Sequence, residues 1–121
     1  CLVRDDGTYT PVDHKTASSD PAGKDILEAY QHQLDFYALL LEKNQKPPSS
    51  FGHLIYYFPE HSDKLDKGVP LQIYIQTLKT DPGQAFKVFL KAIDVLEKEM
   101  PKPADDCPFC GWHEQLKELK I

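Results

Sequence analysis

Long apolar runs are missing from this chain. Nowhere do about 18 apolar residues follow one another, so no transmembrane helix is expected. A basic surplus is missing too: 14 Lys and Arg stand against 19 Asp and Glu, for a net charge of -5. That argues against a protein that simply coats nucleic acid. It argues less against one that grips nucleic acid locally through a few carboxylates and a cation. Cysteine is scarce, with three in all, and an odd count does not suit a disulfide framework. The start, Cys1-Leu2-Val3-Arg4-Asp5-Asp6, lacks the build of a signal peptide. A cytoplasmic (intracellular), reducing location is therefore the expectation. The chain does not open on Met, and a fragment, a processed product or a trimmed piece is expected.

What is present is globular. Hydrophobic residues make up 40% and charged residues 27% of the 121 positions, which suits a single modest domain. Leu2 to Arg4 and Tyr9 to Thr16 read as the two strands of a β-hairpin around Asp5-Asp6-Gly7-Thr8. Ala17 to Lys24, with Ser18, Ser19, Asp20, Pro21 and Gly23, is a loop. Ile26, Tyr30, Leu34, Tyr37 and Leu41 recur at helical steps, which predicts a helix over Asp25 to Lys43. Pro47-Pro48 ends it. Gly52 to Pro59 is aromatic and β-branched, a strand expected to be central and buried. Glu60 to Gly68 is a polar loop. Pro70 to Leu78 alternates and predicts a strand with Leu71, Ile73 and Ile75 on its buried face. Asp81-Pro82 opens a second helix, with an apolar stripe from Phe86 to Leu96, ending near Lys98. Cys107 to Trp112 reads as a tight loop and His113 to Leu119 as a short last helix. The order β-β-α-β-β-α describes an α/β (α+β) domain, a mixed β-sheet flanked by helices.

The chemistry concentrates at Pro11-Val12-Asp13-His14-Lys15-Thr16. On a strand, Asp13 and Lys15 point to one face, because side chains alternate. An acid there can hold a divalent cation through hard oxygen, and a lysine beside it can meet a phosphate oxygen. The peptide carbonyl of His14 lies between them and is a further candidate ligand. The plain alternative is a surface Asp–Lys pair on an edge strand. On the following helix Gln33 sits one turn from both Tyr30 and Tyr37, on a shared face. A Gln on that stripe needs hydrogen-bond partners. They are either ordinary neighbouring backbone or the metal and phosphate site.

Val12-Asp13-His14-Lys15-Thr16, a loop, and then Tyr30-Gln31-His32-Gln33-Leu34-Asp35-Phe36-Tyr37 resemble the RecB-like branch of the PD-(D/E)XK nucleases. The resemblance covers roughly Leu2 to Cys110. It implies a restriction-endonuclease-like core, a DNA substrate, and Mg2+ or Mn2+. Asp13, Lys15, Gln33 and Tyr37 are then the catalytic set, and Asp13 and the His14 carbonyl the metal ligands. It also implies a second metal-binding Asp on the strand before the turn. Counted back from Lys15, that Asp falls at or just before Cys1. One ligand and part of the fold are thus expected to lie outside the chain, and self-association or a partner domain is expected to complete the sheet.

Cys107-Pro108-Phe109-Cys110 has the spacing of a knuckle for a metal or a redox pair. Cys107 and Cys110 are a possible second metal site, for zinc or, as in some relatives of the family it resembles, an iron–sulfur cluster. His113 is a possible third ligand. The plain alternative is a small hydrophobic cap beside Trp112. The expected organisation is a partial nuclease core over 1–106 and a knuckle with a short helix over 107–121. The expected function is a metal-dependent deoxyribonuclease, exo- or endonucleolytic, serving recombination, repair, phage or defence DNA processing. Two other readings stand beside it: a non-catalytic nucleic-acid-binding or structural module on the same fold, and a small zinc-binding interaction domain.

Overall fold

The computed structural model describes residues 2–4, 6–60 and 68–118. The polar loop expected over Glu60 to Gly68 lies largely outside these residues. The chain forms two compact units, Cys1–Phe89 and Leu90–Ile121.

In the first unit, β1 (Leu2–Val3) pairs antiparallel with β2 (Tyr9–Thr10) around a turn. Gly7 takes φ +79 there, a left-handed conformation that suits glycine. The strand expected to run unbroken from Tyr9 to Thr16 is divided. β2 stops at Thr10 and β3 (Val12–Thr16) belongs to a different sheet. Pro11 causes the break, because it has no N–H to continue a ladder. A second sheet of three strands has the order β3-β4-β5, with β4 (Phe51–Pro59) central and β5 (Leu71–Lys79) beyond it. β3 and β4 are parallel and β4 and β5 antiparallel, so the sheet is mixed.

The parallel step from β3 to β4 needs a crossover, and α1 (Glu28–Lys43) supplies it. The helix starts three residues later than its periodicity suggests. Leu27 precedes it, and no side chain caps its first turn. Leu34 on α1 and Leu54 on β4 are fully buried and, with Tyr56, form the core. Gly52 belongs to that core by what it lacks. A Cβ there would stand 3.1 Å from the Pro11 carbonyl oxygen and 3.2 Å from a Leu34 methyl.

β4 alternates as a strand packed on one side should, with Gly52, Leu54, Tyr56 and Phe58 buried. The alternation of β5 is present, but on the opposite face from the one expected. Leu71, Ile73 and Ile75 are 61%, 61% and 56% exposed. Register decides this. Tyr74 pairs with Tyr56, Gln76 with Leu54 and Leu78 with Gly52, so the even-numbered residues share the face that α1 covers. The isoleucines stand with Ile55 and Tyr57 on the other face.

α2 (Pro82–Leu96) follows β5. Asp81 caps it, accepting the Gln84 N–H at 2.8 Å. Its apolar stripe is largely open among the described residues, with Ala85 buried and Phe86 and Phe89 exposed. In the second unit α3 spans Pro108–Glu118. Of the residues expected to form a tight loop, Cys107 to Trp112, all but Cys107 are instead the start of this helix. Pro108 suits its first position, where no N–H is needed. No helix among the described residues is long and apolar enough to cross a membrane.

Candidate active site

Two elements build the site. The parallel ladder fixes β3: the Pro11 carbonyl accepts the His53 N–H at 2.9 Å, and the Ala17 N–H donates to the Tyr57 carbonyl at 2.9 Å. Asp13 and Lys15 pair with Leu54 and Tyr56, on the buried face of β4. They therefore lie under α1. His14 points the other way, with its Nδ1 3.0 Å from the Tyr57 hydroxyl on the outer face. Because Pro11 and Ala17 turn their backbone groups toward β4, the alternation turns the His14 carbonyl to the opposite edge of β3.

On α1 the i, i+4 spacing aligns Gln33 with Tyr37. Gln33 Oε1 accepts from Lys15 Nζ at 2.6 Å. Its Nε2 donates to Asp13 Oδ1 at 3.2 Å and to the Tyr37 hydroxyl at 2.8 Å. The Tyr37 hydroxyl in turn donates to Asp13 Oδ1 at 3.4 Å. Lys15 Nζ lies 2.8 Å from Asp13 Oδ2, and both side chains are largely buried, 17% and 16% exposed. The amide orientation follows from these partners, since only Oε1 can accept from an ammonium.

The two carboxylate oxygens of Asp13 thus differ. Oδ1 is anchored by two donors. Oδ2 is buried and accepts no well-aligned hydrogen bond, although the Lys15 charge lies beside it. A lone pair left this way suits a hard cation. In kind, then, the residues fit Mg2+ or Mn2+. In number they supply little: among the described residues no group of three or more His, Cys, Asp or Glu converges.

Tyr30 closes the lysine from the other side, with Lys15 Nζ 4.2 Å from its ring centre, a cation–π contact. Sequence reasoning put Tyr30 on the right helical stripe but gave it no part in the site. The signal was the shared face with Gln33. Tyr56 lies beneath, and burial, with Tyr30 next to it, pushes its phenol above the ordinary range. A cavity of about 350 Å³ adjoins Tyr30 and Tyr56 and is bordered by Thr16, Ser18, Ser19 and Lys24.

Asp35 has a part the sequence did not reveal. It is 3% exposed and accepts from Gln31 Nε2 at 2.9 Å and from the Asp81 N–H at 2.8 Å. It pins the junction of β5 and α2 to α1. A buried acid on a helix looks no different in sequence from an exposed one.

Cys107 and Cys110 form a separate pair in the second unit, both free and partly exposed. The Cys110 N–H donates to Cys107 Sγ at 3.5 Å. That contact, with the Cys110 thiol beside it, holds the Cys107 thiol below its usual value, and the same thiol contact pushes Cys110 up.

A family model, the PD-(D/E)XK nuclease superfamily, aligns with residues 2–115. No curated protein and no solved structure matches.

Proposed function

The chain belongs to the PD-(D/E)XK nuclease superfamily, and from that premise we propose that it carries the catalytic face of a metal-dependent DNA nuclease of the RecB-like kind. One observation carries this reading. Lys15, Asp13 and Tyr37, drawn from two elements, all meet at Gln33. A surface Asp–Lys pair has no use for such a hub.

Each side chain has a distinct task in phosphodiester hydrolysis. Lys15 carries the cation that meets the charge developing on the phosphoryl oxygens. Gln33 and Tyr30 limit where its ammonium can go, which keeps it in position before substrate arrives. Gln33 and Tyr37 together hold Asp13 by Oδ1 and leave Oδ2 with the Lys15 ammonium as its neighbour. Asp13 Oδ2 and the His14 carbonyl are the groups that would hold Mg2+ or Mn2+. Such an ion, when bound, polarises the phosphoryl group and lowers the pKa of a water. The fit in kind but shortfall in number favours a second reading, a non-catalytic nucleic-acid-binding module on the same fold. Cleavage of plasmid and labelled oligonucleotides by the intact protein, with and without Mg2+ or Mn2+, separates the two. Metal-dependent cutting lost in Lys15→Ala supports the nuclease. DNA binding without cutting in every metal supports the module.

A further inference from the structure

We propose that Cys107 and Cys110 are a thiol–disulfide exchange site, oxidised reversibly by a low-molecular-mass disulfide, with Cys107 as the attacking sulfur. The proposal is independent of the nuclease reading, since the pair belongs to the second compact unit.

Three observations support it. First, the two cysteines already meet, through the sulfur of one and the backbone amide of the other. Cys107 immediately precedes α3, and its Sγ bends back to accept the N–H of Cys110 at 3.5 Å. A Cys-x-x-Cys pair at a helix start places two β-carbons close to the separation a disulfide needs. Second, the site is accessible. Neither cysteine is buried, and flanking Phe109 and Trp112 are 80% and 61% exposed. Third, a closed metal site needs four ligands. Among the described residues no third His, Cys, Asp or Glu joins the two sulfurs. Two thiols with no further ligand among the described residues suit a two-electron couple better than a knuckle.

The polarity of the pair follows from the hydrogen bonds. Cys107 Sγ receives the backbone N–H that would otherwise be orphaned at the helix start, which steadies negative charge on that sulfur. The chemistry balances in two exchanges. The Cys107 thiolate attacks one sulfur of the small disulfide, whose S–S bond breaks. One thiolate leaves and takes a proton from water, and a mixed disulfide remains on Cys107. Cys110 then gives up its proton to solvent and attacks Cys107 Sγ. The second small thiol departs. Two cysteine thiols are oxidised and one disulfide is reduced to two thiols.

The test uses the full chain carrying Cys1→Ser, to remove the third thiol, in metal-free buffer with a chelator. The protein is equilibrated with reduced and oxidised glutathione at varied ratio, alkylated and weighed intact. The expected result is the joint loss of two alkylatable thiols and two hydrogens, with no lasting glutathione adduct. Cys110→Ser should trap one glutathione on residue 107. Cys107→Ser should react at least about tenfold more slowly than Cys110→Ser, the nucleophile being gone. Trp112, the single tryptophan, gives a second readout, a fluorescence change with the same midpoint that dithiothreitol reverses. Independent alkylation of the two thiols at every ratio would overturn the proposal. So would one equivalent of zinc or iron that co-purifies, resists the chelator and blocks both thiols.

Discussion

Gln33→Ala probes the candidate site most directly, because Gln33 bonds to Lys15, Asp13 and Tyr37 together. It makes three hydrogen bonds, from Lys15 at 2.6 Å, to Asp13 at 3.2 Å and to Tyr37 at 2.8 Å. Bonds to charged groups contribute about 1.5–3 kcal/mol each and the neutral one about 0.5–1.5, a gross sum near 3.5–7.5 kcal/mol. Most of this is retained or replaced. Lys15 keeps Asp13 at 2.8 Å and Tyr37 keeps it at 3.4 Å. The pair is 17% and 16% exposed, enough for water to enter the space the amide leaves. The net loss of stability should be about 1–2 kcal/mol. Catalysis should suffer more. Lys15 loses an anchor and Asp13 one of two donors, and misplacement of such groups costs about 2–4 kcal/mol in the transition state, or about 30–1,000-fold in rate. The assay is steady-state cleavage of a fluorescent duplex by the intact protein in Mn2+, beside urea unfolding. The fall should appear in kcat, with KM within about threefold, because the lost contact orients rather than binds. A variant with kcat/KM within about threefold of wild type would refute the positioning role. A stability loss above about 4 kcal/mol would recast Gln33 as a structural residue.

Asp13→Asn and Lys15→Ala should each lower cleavage by about 100–1,000-fold or more while keeping the folded far-UV spectrum. Unchanged rates in both would remove them from the chemistry. Asp35→Ala should cost about 1–3 kcal/mol, because the Asp81 N–H loses its acceptor at 2.8 Å. Faster hydrogen exchange at that amide is the readout, and an unaltered urea midpoint counts against it. Gly52→Ala should destabilise by about 1–3 kcal/mol through overpacking, since the nearest obstacle includes the Pro11 backbone oxygen at 3.1 Å. The paired change Ile73→Glu and Ile75→Lys should leave stability nearly intact and reduce self-association in light scattering. Both isoleucines are more than half exposed, and open apolar faces seek partners. A large loss of stability would mean that this face is covered.

Much of the candidate site's geometry was legible in the sequence because it is local. Alternation along a strand puts Asp13 and Lys15 on one face, and a helical turn puts Tyr30, Gln33 and Tyr37 on another. Those periods are fixed by backbone sterics. The Asp81 cap was readable for the same reason, and the mixed sheet from the order of the elements. The end of β2 at Pro11 was in principle readable too, since a residue without an N–H interrupts any ladder. The start of α3 at Pro108 was equally open to such reasoning.

Tertiary structure decided what depends on partners far apart in the chain. Alternation says that Leu71, Ile73 and Ile75 share a face. It does not say which face a helix covers. The register of β5 on β4 settles that, pairing Gln76 with Leu54 and Ile75 with Ile55, so the polar-looking side of β5 lies under α1. Asp35 acquires its role only when α1 meets the Asp81 amide, 46 residues away. Tyr30 becomes part of the site only when Lys15 comes to lie 4.2 Å from its ring. Side-chain direction is a property of each residue's own backbone, so the sequence determined it. What each side chain meets is a property of two distant segments and their register, so only the fold could decide it.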